Sequence, residues 1–379
     1  MRRKILATLA VAAAMFALLS PTPAASRRSG WKPAGRLIVA VRSGNAFALA
    51  DGRVVSVAMR IMGDSWPATT QVWNPANQRW TAAGAKPIFP KLVQGAAIRL
   101  DDGRILVTGY CRKDCGAGSN AELYDPATDR WSMPGQMRHG RYFHSMAKLR
   151  DGRVLVLGGC TRDSCFAGTR VVEVFDPKSG RFATLAAPMP VRRVCFTATT
   201  LADGRVLVAG GYNPKGVLRE NEIYDAARDL WTFNAPMTHA HVVHAAILLK
   251  DERVLVAGGD CLPGLPCAEA DVFNPRRGNW KSAGAMSAPR SGLAAVVLQG
   301  GEALICGGLT YFGTLWRNLE TCEAFDPDQN AFVPEDSMSA ARADFSFAML
   351  SNGKVLAVGG DQWPEGEDKT PGTSELYTP

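Results

Sequence analysis

The segment His239-Ala240-His241-Val242-Val243-His244 places three imidazoles within six residues, a density that invites a metal ion. In an extended strand His239 and His241 share one face while His244 points away, so the three do not converge and no metal is expected. Four arginines, Arg141, Arg193, Arg290 and Arg342, recur at matching places and could line a basic rim that grips a ligand. Their competing role is structural: each guanidinium could bond backbone or a glutamate such as Glu122, Glu173, Glu222 or Glu323 in a neighbouring strand. Nine cysteines include the close pairs Cys111 and Cys115, Cys160 and Cys165, and Cys261 and Cys267. Such spacing makes half a zinc site, but no second pair is bound to lie near. Disulfides are the expectation, with Cys306 and Cys322 within reach of a further pair and Cys195 left as a buried thiol. There is no G-x-S-x-G, H-E-x-x-H, phosphate-binding loop or dinucleotide fingerprint, so the sequence offers no catalytic constellation and implies no cofactor.

These residues sit in a repeat. The phrase Leu-x-Asp-Gly-Arg-Val-Leu-Val-x-Gly-Gly is clearest at Asp151 to Gly159 and Asp203 to Gly211. Asp51-Gly52-Arg53 and Asp102-Gly103-Arg104 begin two more copies. Degenerate ones begin at Asp251-Glu252-Arg253, Gly300-Gly301-Glu302 and Asn352-Gly353-Lys354, giving a period of about 50 residues. Asp-Gly between apolar runs predicts a hairpin with a type I′ turn. Val154 to Leu157 reads as a strand buried on both faces. After the glycine pair and a variable loop comes a third strand, then an Asp-Pro-like turn and a fourth strand opened by an aromatic residue. That residue stands seven positions after another aromatic in every complete copy: Trp73 and Trp80, Tyr124 and Trp131, Phe175 and Phe182, Tyr224 and Trp231, Phe273 and Trp280, Phe325 and Phe332. Each unit is therefore a four-stranded antiparallel meander whose faces are buried by its neighbours.

The glycine pair, the Tyr-Asp-Pro-like turn and the aromatic seven residues on resemble the Kelch-repeat family across residues 26–379. The resemblance implies an all-β, seven-bladed β-propeller. Ala58-Met59 and Gly109-Tyr110 replace the first two glycine pairs, so blades one and two are expected to pack less regularly. The seventh copy stops at Glu375-Leu376-Tyr377-Thr378-Pro379, and its missing aromatic strand is matched by Ser29-Gly30-Trp31-Lys32-Pro33-Ala34-Gly35. The N-terminal strand is thus expected to complete the last blade and close the ring.

Within this frame the second-to-third-strand loops share one face with the crossings between blades. Trp66, Trp316 and Trp363 lie outside the repeat positions and fall in such loops, in blades one, six and seven; Tyr311, Phe312 and Arg317 accompany Trp316. The cysteine pairs occupy blades two, three and five, so one sector is expected to be pinned and another aromatic. Rings on rigid loops suit stacking on sugars or anchoring a protein partner. The leading expectation is a non-catalytic binding module for a saccharide or a protein. Two enzyme classes with Kelch-like propellers stand beside it. One resembles bacterial sugar mutarotases, with Arg141, Arg193, His241 or His244 as acid or base. The other resembles copper radical oxidases of the galactose oxidase type, whose Tyr-His copper segment is faintly similar to Tyr142-Phe143-His144.

Arg2, Arg3 and Lys4 precede an uncharged apolar run from Ile5 to Leu19 and small residues from Pro21 to Ser26. This is the layout of a signal peptide over residues 1–25, which places the protein in a periplasm or outside the cell. The formal charge of +8 falls to +5 without that segment, with no Lys/Arg block, so nucleic acid is not an expected partner. No later segment is long and apolar enough to span a bilayer as a helix. With 38 glycines, 23 prolines and 21% charged residues, the chain is turn-rich and globular, and a closed ring with no obligatory free edge is expected to be a monomer.

Overall fold

Each aromatic pair spaced by seven residues forms a cross-strand pair. Tyr124 faces Trp131, Phe175 faces Phe182, Tyr224 faces Trp231 and Phe273 faces Trp280. Their ring centroids lie 4.8–5.2 Å apart. The pairs tie the third strand of each unit to the fourth. Seven such four-stranded antiparallel sheets make up the computed structural model. It describes residues 30–41, 44–58, 69–84, 87–88, 95–111, 117–161, 167–312, 315–361 and 372–379. Blade three is typical, with strands Ser145–Lys148, Val154–Leu157, Val172–Asp176 and Arg181–Thr184. The first strands touch in succession from blade two to blade seven, and that of blade seven meets that of blade one, so they wall a central channel.

Ring closure follows the expected register. Gly30–Arg36 pairs antiparallel with Thr373–Thr378, and Trp31 stands opposite Tyr377 with ring centroids 5.1 Å apart. The closing strand is also tied to blade one. Trp73 Nε1 donates to the Ala34 carbonyl at 2.8 Å, and Trp80 Nε1 donates to Ser374 Oγ at 2.8 Å. Apolar cores lie between blades. Leu155, Leu157, Val172 and Val174 of blade three pack with Phe196, Val206, Val208 and Tyr224 of blade four. Each fully buried Val or Leu contributes about 1.5–3 kcal/mol, so the interfaces between blades carry much of the stability.

The Asp-Gly turn differs from expectation. Only the glycine has positive φ, 85° at Gly152 and 89° at Gly204, while the preceding aspartate does not. Gly152 N–H bonds the Leu149 carbonyl and Leu149 N–H bonds that of Arg153. This is a type I turn followed by a left-handed bulge residue. The aspartate holds it by accepting from the arginine two residues on: Asp151 Oδ1 from Arg153 N–H at 3.0 Å and Oδ2 from its Nε at 2.8 Å. In three blades that arginine also reaches the next blade, Arg104 to the Pro177 carbonyl at 3.1 Å, Arg205 to that of Pro275 at 3.4 Å and Arg253 to that of Pro327 at 2.6 Å.

The glycine pair is a seat for two wedges. A Cβ on Gly210 would lie 2.8 Å from the His244 ring of the next blade, and one on Gly211 would lie 2.8 Å from Phe196 of its own. Each pair thus admits two side chains that lock adjacent blades. In blade two, where Tyr110 stands in the second glycine position, the ladder runs on instead, with a register shift between Thr108 and Tyr110 and pairing as far as Cys111 with Ala117.

Candidate functional site

The four arginines form no open rim. Arg141, Arg193, Arg290 and Arg342 are fully buried. Each grips the third strand of its own blade: Arg141 Nη2 lies 2.8 Å from Glu173, Arg193 Nη2 2.8 Å from Glu222 and Arg290 Nη2 2.9 Å from Glu323, with Arg342 on Glu375 in the same way. The other guanidinium nitrogen donates to backbone carbonyls, as Arg290 does to Gly307 at 3.1 Å and Thr321 at 2.9 Å. Burial pulls each guanidinium pKa down and the facing glutamate opposes it. These are internal latches with no side-chain surface for a ligand.

Blade five keeps the latch with both partners shortened. His241 takes the arginine's place and Asp271 the glutamate's, 3.4 Å from His241 Nε2, while His241 Nδ1 bonds the Gly258 carbonyl at 2.8 Å. His239 lies at the rim of this pair, Nδ1 3.3 Å from Asp271, as His139 does beside Glu173. Three side chains are thus close enough to bind an ion, but His241 and Asp271 are already spent on the latch. The nearby trio of His241, Cys261 and Cys267 is ruled out by the disulfide between its cysteines. His144 and His244 are wedges, not ligands. Their Nε2 atoms meet Thr108 and Thr197 hydroxyls at 2.8 Å. Burial first, then Arg141, drives the His144 pKa down to about 3. Tyr142 is itself buried. A copper site on Tyr142 and His144 does not fit, because the imidazole is enclosed between glycine seats 109 and 159.

The aromatic loop of blade six is a raised two-stranded hairpin, Leu309–Phe312 with Leu315–Asn318, in which Tyr311 faces Trp316 at 5.1 Å between ring centroids. Arg317 is exposed at its outer strand. The Phe312 side chain, Trp66 and Trp363 lie outside the described residues. Blades four and five carry equivalent hairpins, and the three touch side by side. On blades five and six the crest is apolar: Leu262, Leu265, Tyr311 and Leu315 are 61%, 49%, 42% and 54% exposed. Sequence reading missed the leucines because they occupy variable loops. It also separated a pinned sector from an aromatic one, and the described residues join them. Cys261–Cys267 clamps the blade-five hairpin, and Cys306–Cys322 joins the strands at the root of the blade-six hairpin. The partners expected for Cys111 and Cys160, Cys115 and Cys165, lie outside the described residues.

Beside the crest lies the channel mouth. Two residues after each latch position the chain turns left-handed, at Phe143, Cys195, Val243, Gly292 and Asp344, with φ of 51–63°. These residues are linked blade to blade: Cys195 N–H bonds the Phe143 carbonyl, Val243 that of Cys195, Gly292 that of Val243 and Asp344 that of Gly292, at 2.8–3.3 Å. This backbone collar narrows the mouth. Asp344 of this collar is near enough to Asp361 of its own blade seven and Asp260 of blade five to be acted on by their charges. Asp260 accepts from the Ser291 hydroxyl and the Gly264 N–H. Solvent reaches Asp344 although walls surround it, and burial followed by the charges of Asp361 and Asp260 raises its pKa to about 6. None of these aspartates was singled out by sequence, since no repeat position marks them.

No family model matches the chain. Human Kelch-like protein 34 is 28% identical over 187 residues, 47% of this chain and 28% of that protein. Beta-scruin of Limulus polyphemus is 28% identical over 173 residues, 43% of this chain and 18% of its own length. The match therefore spans less than a third of either relative. Among solved structures, a fungal alcohol oxidase in complex with copper superposes with a TM-score of 0.73 at 18% identity, covering 93% of this chain and 76% of that one. A second, described as the structure of YjhT, gives a TM-score of 0.57 at 15% identity over 75% of this chain and 93% of the other. Identities this low carry the fold alone. The chain is a seven-bladed β-propeller built from Kelch-like repeats.

Proposed function

We propose that this chain is an exported binding module, without catalytic chemistry of its own, that recognises a protein partner through the hairpin crest of blades five and six. One observation carries the reading: Leu262, Leu265, Tyr311 and Leu315 are exposed together on hairpins that disulfides hold in shape. Rigid apolar anchors lose little conformational freedom on binding and make effective contact points. The Kelch-like relatives are compatible with such a role. The two disulfides support an oxidising compartment, and no helix among the described residues is long and apolar enough to cross a membrane.

The test uses the double variant Leu262→Asp/Leu315→Asp. Both residues are more than half exposed, so the melting temperature should hold. Capture of peptides selected on the wild-type chain from a displayed random library should be lost. Retained capture would overturn the crest as the binding surface. A saccharide is the second reading, favoured by the exposed ring of Tyr311. A melting shift with neutral or acidic oligosaccharides that Trp316→Ala removes would move the assignment to sugar.

A further inference from the structure

Blade five differs from its neighbours in one pair of side chains, and the exchange changes what the pair can hold. In blades three, four and six an arginine nitrogen lies 2.8–2.9 Å from its glutamate. A guanidinium keeps its protons, so those pairs offer a metal no nitrogen lone pair. His241 and Asp271 stand in the same places with donor atoms that metals do take.

The His241 ring is fixed in one orientation. Its Nδ1 lies 2.8 Å from the Gly258 carbonyl, which can only accept, so Nδ1 carries a hydrogen. In the neutral ring the Nε2 lone pair then faces the Asp271 carboxylate. Their separation is 3.4 Å, longer than a good hydrogen bond, and Nε2 has no hydrogen-bond partner among the described residues. Both side chains are fully buried, and lone pairs opposed in such a setting need a cation between them. A proton on Nε2 meets that need and makes the latch. A metal ion meets it too, because a third donor is at hand. His239 Nδ1 lies 3.3 Å from the other carboxylate oxygen, and the ligand atoms of all three residues lie within 4.8 Å of one another.

The spacing suits zinc. A tetrahedral ion with bonds of about 2.0–2.1 Å holds neighbouring ligand atoms about 3.3–3.4 Å apart, and both nitrogen-to-carboxylate separations fall there. The donors are also oriented from behind, as metal ligands are: the Gly258 carbonyl holds His241, and the His239 N–H donates to Asp271 Oδ2 at 2.8 Å. The His239 side chain is 32% exposed, which gives an ion a way in from solvent. Blade three provides an internal control. His139 approaches Glu173 at 3.4 Å much as His239 approaches Asp271, but Arg141 fills the remaining place. The expectation of no metal considered His244 as the third ligand; the third donor comes instead from the third strand of the blade.

We infer that His239, His241 and Asp271 form a site for one divalent ion of the zinc class, which takes the place of the latch proton and ties the crossing into blade five to its third strand. The site is independent of the hairpin crest.

The experiment titrates zinc chloride by calorimetry into the full chain after EDTA treatment and dialysis. Reductant is left out, so that Cys261–Cys267 stays closed and offers no thiolate. One equivalent should bind with a Kd of about 1 μM or below and raise the melting temperature. Cobalt in its place should show the visible absorption of a tetrahedral ion. His239→Ala removes the rim ligand and leaves the buried pair, so it should melt like metal-free wild type and bind at least about tenfold more weakly. His241→Arg/Asp271→Glu rebuilds the latch of the other blades, so it should fold and lose both the zinc-induced melting shift and the cobalt band. If that double variant folds poorly, His239→Ala alone decides. No saturable binding by wild type up to about 1 mM zinc, or wild-type affinity in either folded variant, would overturn the site and leave the crest reading untouched.

Discussion

Arg342 and Asp344 are two residues apart and experience opposite electrostatic settings. Arg342 is fully buried, with a glutamate and backbone carbonyls around its guanidinium. Asp344 faces solvent at the channel mouth, pressed by two further carboxylates. The first charge repeats in blades three, four and six; the second does not repeat. Charge in the repeat register closes blades upon themselves. Charge outside the register is left over from folding and is where recognition can be built.

Removing register elements should therefore damage the fold, and the largest effect belongs to the closing strand. Deleting residues 30–36 strips Thr373–Thr378 of its partner and uncovers Tyr377, which Trp31 covers. The melting temperature, followed by circular dichroism, should drop by on the order of 10 °C or more; an unchanged value would refute closure by this strand. Arg290→Met comes next. It leaves Glu323 buried without its cation and should cost about 3–5 kcal/mol in urea titration, most of it recovered when Glu323→Leu is added. If Arg290→Met were neutral, the register charge would not be structural and the contrast with Asp344 would fail.

Asp344→Asn should act with the opposite sign. Burial and its carboxylate neighbours raise the Asp344 pKa to about 6 in the folded chain, against 3.8 for an ordinary aspartate. Between those values the folded state holds a proton that the unfolded state has lost, so stability declines as pH rises through this window and the full penalty applies above it. The asparagine variant should melt a few degrees higher than wild type at neutral pH, a modest gain because solvent screens the site, and should match it below the window. Equal shifts at both pH values would assign the effect to packing. The smallest effect is at Glu252, a non-glycine residue at φ 70° where the other blades place glycine in the same turn. Glu252→Gly should gain about 0.5 kcal/mol, since relief of the left-handed backbone exceeds the loss of an exposed ion pair to Arg276. A loss of stability would show that this pair matters more than the turn.

Much of this was legible in the sequence because a repeat states its rules several times over. The seven-residue aromatic spacing predicted the cross-strand pairs, and the leftover Trp31 predicted its place opposite Tyr377. The glutamates named as partners for Arg141, Arg193 and Arg290 are the ones found, and the exchange of Arg–Glu for His–Asp in blade five became plain only when His241 and Asp271 were seen together. The turn type was misread because Asp-Gly suits both a type I′ turn and a type I turn with a bulge, and the arginine bound to the aspartate decides between them. The basic rim dissolved because sequence shows that an arginine recurs, not which way it points. Asp260, Asp344 and Asp361 escaped notice because they are scattered through the sequence and meet only when the ring is closed. Trp66 and Trp363 stay as sequence expectations.

The closing strand also sets a clock. Trp31 and Tyr377 are 346 positions apart, and at synthesis rates of about 5–20 residues per second the first strand waits about 20–70 s for its partner. Through that interval no arrangement of the earlier blades can seal the ring. The export proposed above would use this delay: a chain passing N-terminus first through a narrow pore stays open and threadable until its other end has passed, and only then can the circle be completed on the far side.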